Sequence, residues 1–148
     1  MKIVRMRMRL ALLLALLPLP VLGQDDYRRL VPLLDIFNPA NDTPGYDVVG
    51  IRCAGVWYAQ EEWTQTHGGR GATRAQLSAG AHVLELAVQH RIGEGRSLTE
   101  ATLTVEADVL AVIDLYLARF AQNATGGHPW RSDPLVGGDL TYCEIATG

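Results

Sequence analysis

Residues 105–121 read VEADVLAVIDLYLARFA, and this stretch decides the fold. Apolar side chains fall on nearly every side of a helix drawn through it, which is typical of a helix that neighbouring elements cover on most sides. Asp108, Asp114 and Arg119 interrupt the stretch, so it is unsuited to span a membrane. We therefore predict a central helix around which the rest of the chain packs.

Two capping boxes indicate where the last two core helices begin. Thr73 stands three residues before Gln76, and Ser97 stands three residues before Glu100. In each pair the hydroxyl and the longer side chain can bond to backbone N–H groups that a helix start leaves free. The apolar periodicity that follows predicts core helices over about 74–92 and 98–123.

Another core helix is predicted over about 47–66, where aromatic and aliphatic residues recur at the helical period. Trp57 and Trp63 fall on its apolar face. Gly50 and Gly55 each cost a helix interior roughly 1 kcal/mol, and we interpret them as positions where a neighbouring helix approaches closely. A shorter helix with an apolar stripe is expected over about 31–37.

The tail, residues 126–148, is rich in glycine and proline. Pro129, Pro134 and the pair Gly137 and Gly138 favour an irregular segment with single helical turns at most. No stretch of the chain alternates apolar and polar residues as a half-buried strand would. The predicted fold class is therefore all-α, a small helical bundle of three core helices and a short N-terminal helix, followed by an irregular C-terminal tail.

The opening residues, MKIVRMRMRLALLLALLPLPVLGQ, have the pattern of an export signal. Basic residues precede an apolar core from Leu10 to Leu17, and Gly23 offers a small residue before a cut. This pattern predicts a signal peptide over 1–23 and a single periplasmic or secreted domain over 24–148. The alternative is an uncleaved anchor, although a membrane span needs about 20 apolar residues.

Cys53 and Cys143 are the two cysteines of the chain. In the oxidising compartment that an export signal implies, two cysteines favour one structural disulfide. A loop of this length constrains the unfolded chain by roughly 4–5 kcal/mol in the entropy model. The alternative, a reactive thiol, lacks a Cys-x-x-Cys motif or a histidine close in sequence.

The charge of the chain argues against two classes of partner. Without the basic residues of the leader, 9 arginines face 16 acidic residues, a formal charge of −7. Nucleic acid and anionic membrane surfaces attract clustered basic residues instead. We therefore predict no nucleic-acid partner, and no membrane span once the signal is cleaved.

Asp114 and Glu106 are the candidate buried ionisable residues, because both lie within the apolar stretch 105–121. A buried carboxylate either pairs with an arginine or has a raised pKa. We favour a structural ion pair for Asp114, with Arg52 or Arg91 as its partner. A functional acid is the alternative, since structural ion pairs and catalytic acids perturb pKa values alike.

No residue pattern predicts a catalytic or metal centre. Two metal ligands on one helix usually follow Glu-x-x-His or His-x-x-x-His spacing, whereas His82 and Glu85 stand in the reverse order. No serine lies in a Gly-x-Ser-x-Gly elbow. We therefore predict no catalytic residue, no metal and no cofactor.

Trp130, with His128 and Arg131 beside it, is the candidate contact residue. A tryptophan in a loop is either an exposed anchor for a partner or a plug that packs the tail onto the bundle. The sequence leaves both interpretations open.

The leading functional hypothesis is an exported binding or interaction module for an unknown protein or small ligand. Its site would lie at Trp130 or in a groove between the helices over 47–66 and 74–92. One alternative is a small periplasmic enzyme with an acid or metal site on the central helices. Another is an acid-stress chaperone-like protein, because protonating the carboxylates would reverse the net charge.

Overall fold

The computed structural model describes residues 30–36, 46–124 and 129–147. These residues form helices and connecting turns with no strand among them, which confirms the all-α prediction. In chain order the helices are α1 (Leu33–Ile36), α2 (Tyr46–His67), α3 (Arg74–Gly93), α4 (Leu98–Gln122) and α5 (Pro134–Thr147). The expected signal peptide over 1–23 lies outside the described residues and stays a prediction. Across the described ranges, no helix has the length and apolar character needed to cross a bilayer.

The central position belongs to α2, which contacts α3, α4 and α5. Every residue from 50 to 57 is buried, so this segment is covered on all sides. The prediction that 105–121 forms the central helix is wrong in this respect, because α4 keeps one face in solvent. Leu103 is 60% exposed and Leu110 is 54% exposed on that face. An apolar residue can remain at a surface, so apolar content alone did not identify the central helix.

Two glycines explain how α2 accommodates neighbours on opposite sides. A Cβ atom placed on Gly55 would lie 2.4 Å from Cγ1 of Val112 on α4. A Cβ atom on Gly50 would lie 3.0 Å from the carbonyl oxygen of Val83 on α3. Both helices therefore approach the α2 backbone more closely than a side chain permits, as the sequence predicted.

The helix starts at α3 and α4 follow the predicted caps. The backbone N–H of Gln76 donates to Oγ1 of Thr73 at 3.2 Å, and the N–H of Thr73 donates to Oε1 of Gln76 at 2.8 Å. At α4 the N–H of Glu100 donates to Oγ of Ser97 at 3.2 Å. These bonds satisfy donors that the first helical turns would otherwise leave free.

The tail is the main difference from the predicted fold, because residues 134–147 form α5 rather than an irregular segment. Oδ1 of Asp133 accepts the backbone N–H groups of Leu135 and Val136, and Pro134 suits the first helical position. The glycine pair within α5 was interpreted as a helix breaker. Burial of Val136, Asp139 and Cys143 at helical spacing outweighs that local cost.

The predicted disulfide is confirmed between Cys53 on α2 and Cys143 on α5, whose Cα atoms are 5.4 Å apart. Both residues are fully buried. The bond closes a sequence separation of 90 residues and fixes the last helix against the central one. Because loop-closure entropy grows with loop length, a crosslink of this span strongly restricts the unfolded chain.

We expect Gly55→Ala to lower the free energy of unfolding by about 1–3 kcal/mol, because the new methyl group requires Val112 and α4 to move. Gly138→Ala is the matched control within α5, where an added Cβ meets no atom of the described residues within 4 Å. The control should raise the free energy of unfolding by about 0.5–1 kcal/mol, the usual cost of glycine in a helix. Urea denaturation of the oxidised proteins measures both, and equal stabilisation by the two substitutions would contradict the close approach of α2 and α4.

Candidate functional site

The acids predicted to be buried on the central helices are exposed. Asp114 and Glu106 both lie on the solvent face of α4, together with Leu110. The prediction of burial is therefore wrong, because the apolar neighbours of Asp114 in sequence belong partly to the solvent face. The carboxylate that α4 does bury is Asp108, which is 3% exposed. An acid or metal site built on Asp114 and Glu106 thus loses the buried environment that suggested it.

Arg52 and Asp139 form an ion pair in which both side chains are completely buried. Nε of Arg52 donates to Oη of Tyr116 at 3.0 Å, and the Tyr116 hydroxyl donates to the same Asp139 carboxylate. Two bonds extend the cluster to the N-terminal segment: the Leu33 N–H donates to Asp139 Oδ1 at 2.8 Å, and Arg52 donates to the Val31 carbonyl at 3.0 Å. The first segment, α2, α4 and α5 therefore meet at this cluster.

The charges of this cluster stabilise each other. Burial alone would lower the pKa of Arg52, but Tyr116 and Asp139 outweigh it and raise that pKa above its ordinary value. Burial raises the pKa of the Tyr116 hydroxyl, Asp139 raises it further, and Arg52 opposes the change. At neutral pH the tyrosine is therefore a neutral hydrogen-bond donor. With no exposed atom in the ion pair, a substrate has no access to this cluster, and its role is structural.

A second buried arginine, Arg91 of α3, bonds two carboxylates. It contacts Asp47 at 3.0 Å and Asp108 at 2.7 Å. Burial alone would lower the pKa of Arg91, but the hydrogen bonds and charges of both acids raise it. The sequence named Arg52 and Arg91 as partners of a buried acid, and both are buried ion-pair arginines. Their partners are Asp139, Asp47 and Asp108, whereas the sequence analysis predicted Asp114.

A third ion cluster lies where α4 ends and α5 begins. Nη2 of Arg119 donates to Oδ1 of Asp133 at 3.0 Å, and the Asn123 side chain donates to the other carboxylate oxygen. Burial works to raise the pKa of Asp133, but Arg119 and the N–H of Val136 outweigh it and hold that pKa below its ordinary value. This carboxylate therefore caps α5 and also joins it to α4.

Trp130 is buried, with 6% of its surface exposed, so of the two interpretations that the sequence left open the structure agrees with packing of the tail onto the bundle. Its ring meets Phe120 edge to face at a centroid distance of 5.3 Å. Phe120 in turn contacts Trp63 at 6.0 Å, so Trp130 extends the aromatic packing between α2 and α4. Arg131 is exposed, and His128 lies outside the described residues.

The histidines within the described ranges do not gather into a metal centre. His82 is 68% exposed and lies 3.9 Å from Glu85, a single weak contact. His67 stacks on Trp63 with ring centroids 3.8 Å apart. Among residues 30–36, 46–124 and 129–147, no three His, Cys, Asp or Glu side chains are placed to hold a metal ion.

Among the described residues, one feature suited to binding is an apolar groove of about 300 Å³ between α2, α3 and the C-terminal end of α5. Its apolar lining comes from Val49, Gly50, Ala79, Val83, Leu86 and Ala146. His82 and Thr147 add the polar groups. We call this recess the main groove.

A second recess of about 210 Å³, the side pocket, lies between the first turns of α3 and the end of α5. Trp57, Ala75, Gln76 and Glu144 line it, together with two residues, Ala79 and Thr147, that also line the main groove. The two recesses are therefore adjacent along α3. Nε1 of Trp57 is buried without a hydrogen-bond partner in the described part of the chain.

The local sequence explains why both recesses lie along α3. Along α3 the lining positions 75, 79, 83 and 86 recur at helical spacing and carry small or aliphatic side chains. Gly50 adds no side chain where α2 approaches Val83. The sequence hypothesis of a groove between the first two core helices agrees with this position. It missed the contribution of α5, because the tail was expected to be irregular.

Comparison with protein-family models, with curated proteins and with solved structures finds no match to this chain. Fold and site together define the class as a small, disulfide-linked all-α bundle with an open apolar groove.

We expect Asp139→Asn to lower the free energy of unfolding by about 3–5 kcal/mol, because it leaves the buried Arg52 charge without its counter-charge. Asp114→Asn is the matched control: it makes the same chemical change at an exposed position and should leave stability unchanged. Guanidinium denaturation at pH 7 with the disulfide intact measures both. Equal effects at the two positions would show that the buried cluster contributes no stability.

Asp133→Asn tests the depressed pKa at the start of α5. A carboxyl group with a lowered pKa in the folded state stabilises the protein above its ordinary pKa, and this contribution is lost as the pH falls through the folded value. The variant should therefore be less stable than the wild type at pH 7, and the difference should shrink below about pH 4. Urea midpoints measured from pH 7 to pH 2.5 test this, and a constant difference across the range would contradict it.

Proposed function

We propose that this protein is a binding module whose site is the main groove together with the side pocket. The observation that carries the proposal is the main groove itself, an apolar recess open to solvent between three helices and adjacent to the side pocket. Ligand sites are usually concave, mostly apolar and supplied with a few polar groups. The lining of the main groove fits that description, with His82 and Thr147 as its polar groups.

The ion clusters support a binding role over a catalytic one. Arg52, Arg91, Asp108 and Asp139 are buried and bonded to one another or to backbone groups, so they serve to join helices. The groove offers alanine, valine and leucine side chains instead, which suit contact with an apolar surface. No described groove residue pairs a nucleophile with a base.

The buried disulfide supports a place of action outside the reducing cytosol, because such bonds persist mainly in oxidising compartments. Export by the leader over 1–23 to the periplasm or the extracellular medium is part of the proposal. The acid-stress hypothesis stays a prediction, and no contact in the structure favours it over binding.

The uncharged fluorescent probe N-phenyl-1-naphthylamine tests the proposal. It should bind the oxidised protein with increased emission, and Leu86→Glu should weaken its binding roughly 5- to 150-fold. That range corresponds to the cost of about 1–3 kcal/mol for placing a polar group against apolar contacts.

Leu103→Glu is the matched control, because it places the same charge on an exposed leucine of α4, away from the groove. This variant should bind the probe like the wild type. Absence of probe binding, or equal weakening by both substitutions at unchanged melting temperature, would refute the groove as the site.

A further inference from the structure

We propose that the occupant of the groove is an amphipathic helix of a partner protein, with two apolar anchor residues about two turns apart and basic residues beside them. This inference rests on the proposed binding function and names the class of partner. Three observations carry it: the openness of the groove, the spacing of its two recesses and the charge around it.

The groove is open along its length. Leu86 is 41% exposed, and His82 and Ala146 are also exposed residues of its lining. A small ligand bound in an enclosed pocket buries most of its own surface, whereas this recess would leave one side of such a ligand in water. A helix laid along an apolar groove keeps its polar face in solvent. The open geometry therefore favours a helix.

The two recesses are spaced for two side chains of one helix. On α3 the main groove is lined from Ala79 to Leu86, and the side pocket from Ala75 to Ala79. The midpoints of these ranges are between five and six residues apart, which is roughly 8 Å at 1.5 Å per residue. Residues i and i+7 of a docked helix are about 10.5 Å apart on the same face. A partner helix alongside α3 can therefore place one apolar side chain in each recess.

The charge around the groove is complementary to a basic partner. Glu144 lines the side pocket, where it accepts a hydrogen bond of 3.2 Å from Gln76. Glu85 is 79% exposed beside Leu86 and lies 3.9 Å from His82, a weak contact that leaves its carboxylate open to solvent. The C-terminal end of α5 also lies at the groove, because Thr147 lines both recesses, and no basic residue occupies its last turn. A helix C-terminus carries partial negative charge. Arg74, at the start of α3, offsets this charge at one end only.

The test is selection from a displayed library of helix-forming peptides of roughly 18 residues, long enough to form a helix on binding. The target is the oxidised protein. Selected peptides should carry large apolar residues at i and i+7 with lysine or arginine on the flanks. Leu86→Glu should weaken their binding at least tenfold in fluorescence anisotropy, and Leu103→Glu should change it less than twofold.

A double variant tests whether the carboxylates around the groove attract a basic partner. Glu85→Gln combined with Glu144→Gln should weaken binding of the selected peptides severalfold at low salt and reduce its dependence on salt concentration. The uncharged naphthylamine probe should bind the single variant Glu85→Gln as it binds the wild type, because Glu85 lines neither recess. Peptides that bind equally well without the two carboxylates would overturn the basic character of the partner.

The outcomes separate this inference from the function on which it rests. Probe binding that depends on Leu86, with no helical peptide selected, would overturn the helix and retain a small apolar ligand. Concentration-dependent dimerisation that Leu86→Glu abolishes would overturn it in favour of a second copy of this chain. Failure of both the probe and the peptides to bind the groove would overturn the proposed function as well.

Discussion

The ion pair between Arg52 and Asp139 is the interaction that holds α5 and the segment around Leu33 against α2. Removing two charges from water is costly, and the cost is offset only when each has full hydrogen-bonding partners. Tyr116, the Leu33 N–H and the Val31 carbonyl supply those partners here. The position of α5 is therefore specified by polar contacts as well as by apolar packing, which alone would tolerate sliding.

The neighbouring disulfide links the same two helices, α2 and α5. Cys53 follows Arg52 on α2, and Cys143 lies one helical turn after Asp139 on α5. The covalent bond limits the separation of the two helices, and the ion pair sets the rotation and register of α5. The groove depends on both, because Ala146 and Thr147 reach it from the last turn of α5. The geometry of the candidate site therefore depends on the disulfide and the ion pair that hold α5 against α2.

Local signals in the sequence predicted the features that depend on neighbouring residues. The caps at Thr73 and Ser97 predicted two helix starts, because the groups involved are three residues apart. The two cysteines predicted the disulfide, since each had one available partner. The close approach at Gly55 was also predictable, because a glycine within a helix has few other uses.

The errors concern features set by distant parts of the chain. The extent of α5 depends on burial of Val136 and Cys143 against α2, which no local pattern reveals. Asp114 and Asp108 lie within one apolar stretch, and only the packing partners of α4 decide which of them is buried. For Trp130 the sequence left an exposed contact and a packing role open, and only its contact with Phe120 distinguishes them. The sequence predicted a groove between α2 and α3, but it did not predict the wall that α5 adds.

The long span of the disulfide also affects the order in which the molecule is built. A chain made from its N-terminus presents Cys53 well before its partner, which follows 90 residues later. During that interval α2, α3 and α4 can already pack, while the Cys53 thiol waits unpaired at the face that α5 will cover. An oxidant that reaches this thiol early would form a mixed disulfide, and arrival of Cys143 would resolve it. A chain that ends before Cys143 would therefore keep an unpaired Cys53 thiol, which a thiol-specific reagent can detect.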